Sequence, residues 1–191
     1  MPSTFEQLKK VVLEKSCSKN WITAVSEWEI LDADEDESCS SSCVCGKEDI
    51  RYLYTIENKK TKETLFPIGS SFIRKFERSD LNNQTSLAEQ LFKLYHAVEE
   101  NEFLNLSTDL FSRKLLKYLY EEGAFYSTNE HYGEEENYKF LLKMFNKRDK
   151  DAITQSQQKK ISAILLNNIK PFVQKKLKSK VRHSLGETRE K

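Results

Sequence analysis

The chain has 191 residues, 31 basic and 30 acidic side chains and a net charge of +1, enough length to bury a core without disulfides. No run approaches the roughly eighteen consecutive apolar residues of a membrane-spanning helix. The N-terminal "MPSTFEQLKKVVLEKS" lacks the apolar core of a signal peptide. These features predict a cytoplasmic protein with reduced thiols, where clustered cysteines are metal ligands more often than disulfides.

In chain order, Ser3 and Glu6 have the spacing of a capping box, and Phe5, Leu8 and Val12 follow at helical period, so a first helix is expected. Trp21 to Ile30 is rich in aromatic and β-branched residues and reads as a strand ending in an acidic loop. Ile50, Tyr52, Tyr54 and Ile56 alternate onto one face of a second strand. "ENKKTKE" is a polar turn, and Leu65 to Ile68 returns as the second arm of a hairpin. Beyond residue 80 the period is helical. Ser86 to Glu89 has capping-box spacing before Leu87, Leu91, Leu94, Tyr95 and Val98. "STDLFSRKLLKYLYEEG" predicts a helix stopping at Gly123, "NYKFLLKMFNKR" a shorter one, and Ile161, Ile164, Leu165 and Ile169 another, with Pro171 marking a kink or restart. The expected architecture is α+β: a small antiparallel β unit in residues 1–80, then a helical bundle in 81–191, packed as one compact unit.

The near-zero net charge hides segregation. Glu27, Glu29, Asp32, Asp34, Glu35, Asp36 and Glu37 lie in one stretch without a base, whereas residues 143–191 hold fourteen Lys and Arg against four Asp and Glu. Such asymmetry points either to charged partners or to solvated surface. The partner-facing candidates are Asp34, Glu35, Asp36 and Glu37 at the acidic end and Lys175, Lys176 and Lys178 at the basic end.

Three of the four cysteines, Cys39, Cys43 and Cys45, fall within seven positions, and Gly46 follows the last. A knuckle for zinc needs two thiolates on a tight turn, with a glycine that lets backbone approach the sulfurs. "CVCG" running into a strand suits half of such a site, although one intervening residue is tighter than the usual two to four. Cys39 supplies a third thiolate. The hairpin brings residues 68–72 back to this turn, but Ser70, Ser71 and Phe72 stand where a second ligand pair is expected. The remaining donor is then Cys17, one of His96, His131 and His183, or water; Cys17 is favoured because the first helix and strand flank the hairpin.

The stretch "CVCGKEDIRYLYTIENKKTKETLFPIGSSFIRKFE", with "FSRKLLKYLYEEGAFY" and "LLKMFNKRDKDAIT" later, resembles a family of small proteins from streptococci, related Gram-positive bacteria and their mobile elements. Cys43, Cys45, Gly46, Ile50, Tyr52, Tyr54, Ile56, Asn58, Pro67, Ile68, Gly69 and Ser70 fit its pattern. Phe72 departs from it, standing where the pattern has its last cysteine. Some phage-borne proteins of this look are anti-CRISPR inhibitors of type II-A effector nucleases, one of them containing zinc. The resemblance therefore implies a non-enzymatic inhibitor that binds a type II CRISPR effector and blocks its target-DNA binding, with a structural zinc on Cys43, Cys45 and Cys39 or Cys17. The alternative is a nucleic-acid-binding accessory protein of a mobile element using the basic C-terminal helix. An enzyme is not expected: the sequence has no phosphate-cradling glycine loop, H-E-x-x-H or G-x-S-x-G, and Asp49 with Glu57 and Lys59 only faintly imitates a nuclease set.

Overall fold

The computed structural model describes residues 3–126 and 133–176. The chain divides into two compact units, residues 1–89 and 90–191, and the architecture is the expected α+β: an antiparallel sheet followed by helices.

Helix α1 (Thr4–Glu14) begins at the anticipated capping box, Ser3 N donating to Glu6 Oε2 at 2.9 Å and Glu6 N to Ser3 Oγ at 3.3 Å, and buries Leu8 and Val12. The next element differs from the sequence expectation. Trp21–Ser26 is a short helix, α2, not a strand, because Asn20 accepts from Thr23 N at 3.3 Å and starts a helical turn. Trp21 then packs edge-to-face between Phe5 (5.6 Å) and Phe76 (5.5 Å). Local β propensity gave way to a cap and an aromatic pocket.

Strand β1 (Trp28–Glu35) consequently runs through most of the acidic stretch. It pairs antiparallel with β2 (Tyr52–Asn58), which pairs antiparallel with β3 (Thr64–Gly69), giving the order β1-β2-β3 with β1 and β3 at the edges. Tyr54 and Ile56 are wholly buried, as their alternation predicts, and Tyr54 Oη donates to Thr85 O at 3.3 Å. They share one apolar cluster with Leu8, Val12, Trp28, Leu65, Ile68, Ile73, Phe76 and Leu81. Each such side chain contributes about 1.5–3 kcal/mol. Inside the cluster Trp28 Nε1 donates to Ser16 Oγ at 2.8 Å, and Ser16 Oγ donates to Val12 O at 2.7 Å, so the indole N–H is satisfied.

A bulge between Ile30 and Asp32 pushes Leu31 out of register. The face opposite the core then carries Glu29 paired with Glu57, and Asp32 paired with Thr55. Asp34 pairs with Leu53, which is buried. After β3, helix α3 (Ser70–Ile73) and a 3-10 turn at Arg74–Phe76 lead to α4 (Ser79–Glu99). This helix starts earlier than expected: Ser86 is no cap but an interior residue whose hydroxyl donates to Asn82 O at 2.9 Å.

In the second unit, α5 (Arg113–Glu121) is capped by Ser112 and ends before Gly123, whose φ of +80° suits glycine. Its start is later than the Ser107 region suggested, because the hydroxyl of Ser112 accepts from Leu115 N at 3.1 Å. Helix α6 (Glu134–Asn146) opens with three glutamates in its first turn, favourable against the positive helix end. Tyr138 of α6 stacks on Tyr120 of α5 at 4.6 Å. Helix α7 (Gln155–Ile164) starts at a capping box of Thr154 and Gln157. It widens into a π-helical turn at Leu165–Ile169, and residues 170–176 continue as helix. Pro171 has no N–H and its ring would strike the carbonyl four residues back; the widened turn accommodates both. Asn168, on that turn, donates to Phe125 O (3.3 Å) and Tyr126 O (3.1 Å).

Candidate functional site

Two features of the first unit invite a functional reading: the cysteine turn and the acidic sheet. The turn lies in the excursion between β1 and β2. Cys43 N donates to Lys47 O at 2.8 Å, Gly46 N to Cys43 O at 2.8 Å, and Val44 N to Pro67 O at 3.0 Å, which ties the turn to β3. Gly46 has φ +83°, and a Cβ there would meet Gln7 Oε1 of α1 at 3.0 Å, so glycine is required on both counts. Cys43 and Cys45 are both buried, and their thiols are neighbours. Burial first, and the adjacent Cys43 thiol second, push the Cys45 thiol up to about 11, while the Lys47 amide beside its sulfur acts the other way.

The other predicted ligands are not brought to this pair. Cys39 sits at φ +53° with its Sγ 3.9 Å from Glu37 O, and no set of three ligand atoms within 4.8 Å of one another includes the Cys43 or Cys45 sulfur among the described residues. Cys17 is exposed, and its amide binds the Glu27 carboxylate at 2.9 Å. Glu27 adjoins the Asn58 end of β2, whereas the turn adjoins the Tyr52 end, a strand length of roughly 20 Å away. The expectation that the first helix would deliver Cys17 fails on direction: α1 places its N-terminal Gln7 at the cysteine turn and its C-terminal end at Glu27. His96 lies in α4, and His131 and His183 lie outside the described residues. The residues present thus offer two donors of the four that a closed zinc site takes, and do not fit that ion as they stand.

The acidic stretch is not one loop of equivalent carboxylates. Glu27 is 1 % exposed and accepts from Cys17 N (2.9 Å), Ser18 N (3.1 Å), Asn58 Nδ2 (3.0 Å) and Lys60 Nζ (3.3 Å). The Asn58 hydrogen bond leads in pulling its carboxyl down to about 2, against the opposing effect of burial. Glu35 pairs with Arg51 Nε at 2.6 Å, and its side chain is 7 % exposed. Asp36 gathers the serine-rich loop: Oδ1 accepts from Ser38 N and Oγ, and Oδ2 from the amides and hydroxyls of Ser40 and Ser41. The Ser38 hydroxyl leads in holding this carboxyl well below the usual range. Of the four predicted acidic contact residues, Glu35 and Asp36 are therefore structural, while Asp34 and Glu37 are exposed.

Sequence reasoning placed Glu29 and Asp32 in the acidic stretch but did not join them to Glu57; with Asp34 these residues lie on the outer face of the sheet. Glu29 and Glu57 are direct cross-strand partners, a like-charge pairing that costs stability; Lys62 Nζ, 3.5 Å from Glu57, offsets part of it. Leu31 (59 %) and Phe66 (51 %) are exposed on the two edge strands. Asp32 Oδ1 accepts from Ala33 N, and Asp34 Oδ1 from Glu35 N, each at 2.8 Å. The signal in sequence was the alternation of Glu29, Asp32 and Asp34 across a bulge, hidden because the strand was expected to end at Ile30 and the rest read as a loop.

At the basic end, Lys175 is exposed, but Lys176 pairs with Glu122 at 2.8 Å and lies over the Phe172 ring at 5.6 Å. Lys178 lies outside the described residues. Asp49 precedes β2 and Glu57 lies near its far end, so the imitation of a nuclease set is not assembled. Among the described residues no helix is long and apolar enough to cross a membrane. Comparison of the chain with protein-family models, curated proteins and solved structures found no match.

Proposed function

We propose that this chain is a non-enzymatic inhibitor carried by a phage or other mobile element, which binds a type II CRISPR effector nuclease in the bacterial cytoplasm and blocks its target-DNA binding. The observation that carries this reading is the outer face of the sheet: Glu29, Asp32, Asp34 and Glu57 together, with exposed Leu31 and Phe66 at its edges. Carboxylates in a row compete with phosphates for a cationic channel, and the two apolar side chains supply area that can be desolvated on contact. The sequence resemblance supplies the identity of the partner, and the acidic face supplies a way to bind it.

The test is a gel shift of target DNA by an effector–guide complex with this protein titrated in, beside a lane of protein and DNA alone. Loss of the effector–DNA band with an unchanged control lane is the expected result. A combined Glu29→Gln, Asp32→Asn, Asp34→Asn and Glu57→Gln variant removes the charge and keeps the acceptors for the Ala33 and Glu35 amides. It should inhibit at least roughly tenfold less well, since charge steering alone spans several decades in association rate. An unaffected effector band in both the binding and cleavage assays would end the reading. A shift in the control lane would favour direct nucleic-acid binding by the basic tail.

A further inference from the structure

We infer that the Cys43–Cys45 turn is half of a zinc knuckle that closes without metal, with Phe72 filling the place from which further donors would come. This inference is independent of the inhibitor reading. Tetrahedral zinc holds thiolates at about 2.3 Å, which sets its donors within roughly 4 Å of one another. The turn keeps the shape for one pair: two neighbouring sulfurs, a glycine at φ +83°, and the Lys47 amide at the Cys45 sulfur.

The side where a second pair would enter is built differently. β3 runs antiparallel to β2 and ends at Gly69, and Val44 N on Pro67 O holds the turn against it. Gly69 leaves little space, since a Cβ there would lie 3.2 Å from Ile50 Cγ2. Phe72 follows, 6 % exposed and in the same apolar cluster as both cysteines, and Lys47 Nζ sits 5.9 Å from the centre of its ring. The loop side is also closed. Cys39 is fixed between Ser38 and Ser40, both bound to Asp36, and its own amide donates to Asp36 O at 3.0 Å. The two sulfurs therefore serve as small apolar packing groups, and aromatic packing holds this corner where a metal would otherwise hold it.

The test uses the full chain purified without metal-affinity steps, its zinc content measured by mass spectrometry, and its melting followed with and without a strong chelator. The expected result is no stoichiometric zinc and superimposable melts. One zinc per chain, lost to chelator together with a fall in melting temperature, would overturn the inference. The position of Phe72 is tested by Phe72→Cys with Phe72→Leu as a size control. Both should melt below the parent, and added zinc should raise only Phe72→Cys. If Phe72→Cys does not fold alone, zinc-driven recovery of its helical circular dichroism is the same expected result. A Phe72→Cys protein that responds to zinc no more than Phe72→Leu would remove Phe72 from the role assigned to it.

Discussion

At the scale of single residues, three polar side chains do work that their sequence neighbourhood does not announce. Glu27 receives four donors while almost wholly buried, and its carboxyl is lowered from 4.5 to about 2. A depressed folded-state value means that the charged form is favoured in the fold. The stabilisation is thus complete above the ordinary carboxylate range and is lost as pH falls through about 2. Thermal melts should fall between pH 4.5 and about 2, and Glu27→Gln should flatten that limb while lowering stability at neutral pH. A limb unchanged by the substitution would assign acid sensitivity elsewhere. Ser16 is a second case. Ser16→Ala strands the buried Trp28 N–H and should cost about 1–3 kcal/mol by denaturant unfolding. Adding Trp28→Phe removes that donor too, so the two changes should be clearly non-additive. For Asp36, replacement by alanine should abolish hydrogen-exchange protection of the Ser40 and Ser41 amides, which its carboxylate now accepts.

At the scale of elements, the cysteine turn gives a separate prediction. If both sulfurs are packing groups, Cys43→Ser with Cys45→Ser buries two hydroxyls at about 1–3 kcal/mol each beyond lost packing. The corresponding double alanine variant avoids that cost and should be the more stable of the two by denaturant unfolding. Ligand loss would instead penalise the two variants alike. The elements also differ in how plainly they stood in the sequence. The Ser3–Glu6 box and the Ile50, Tyr52, Tyr54, Ile56 alternation translate directly, because cap and period are local properties. Trp21–Ser26 does not: its aromatic and β-branched residues suit either state, and the arrival of Phe5 and Phe76 from distant sequence decides for helix. The Ser86–Glu89 box is a real pattern inside a longer helix, where hydroxyls bond back to the preceding turn. For the candidate site, Cys43, Cys45 and Gly46 were legible. The separate fates of Cys17 and Cys39 were not, since both depend on the direction of α1 and on the knot around Asp36.

At the scale of the whole molecule, the charge segregation of the sequence is partly absorbed by structure. Glu27, Glu35 and Asp36 are committed to internal contacts, and Lys176 is paired with Glu122. What remains on the first unit is a sheet face that carries Glu29, Asp32, Asp34 and Glu57, with Lys62 paired to Glu57. Inhibition through that face should weaken steeply with added salt, and the charge-neutralised variant should lose most of that dependence; equal salt dependence would detach the face from binding. One further consequence comes from the two aspartates that close the amides of Ala33 and Glu35. An outer strand with open amides is a template on which copies of a chain can add and grow into fibres. Here each of those donors is satisfied from within its own strand, and every approaching copy brings like charge. Asp32→Ala with Asp34→Ala would reopen the template, whereas the asparagine pair would keep it shut. The same two residues proposed to meet a partner would then also keep the protein from becoming its own partner.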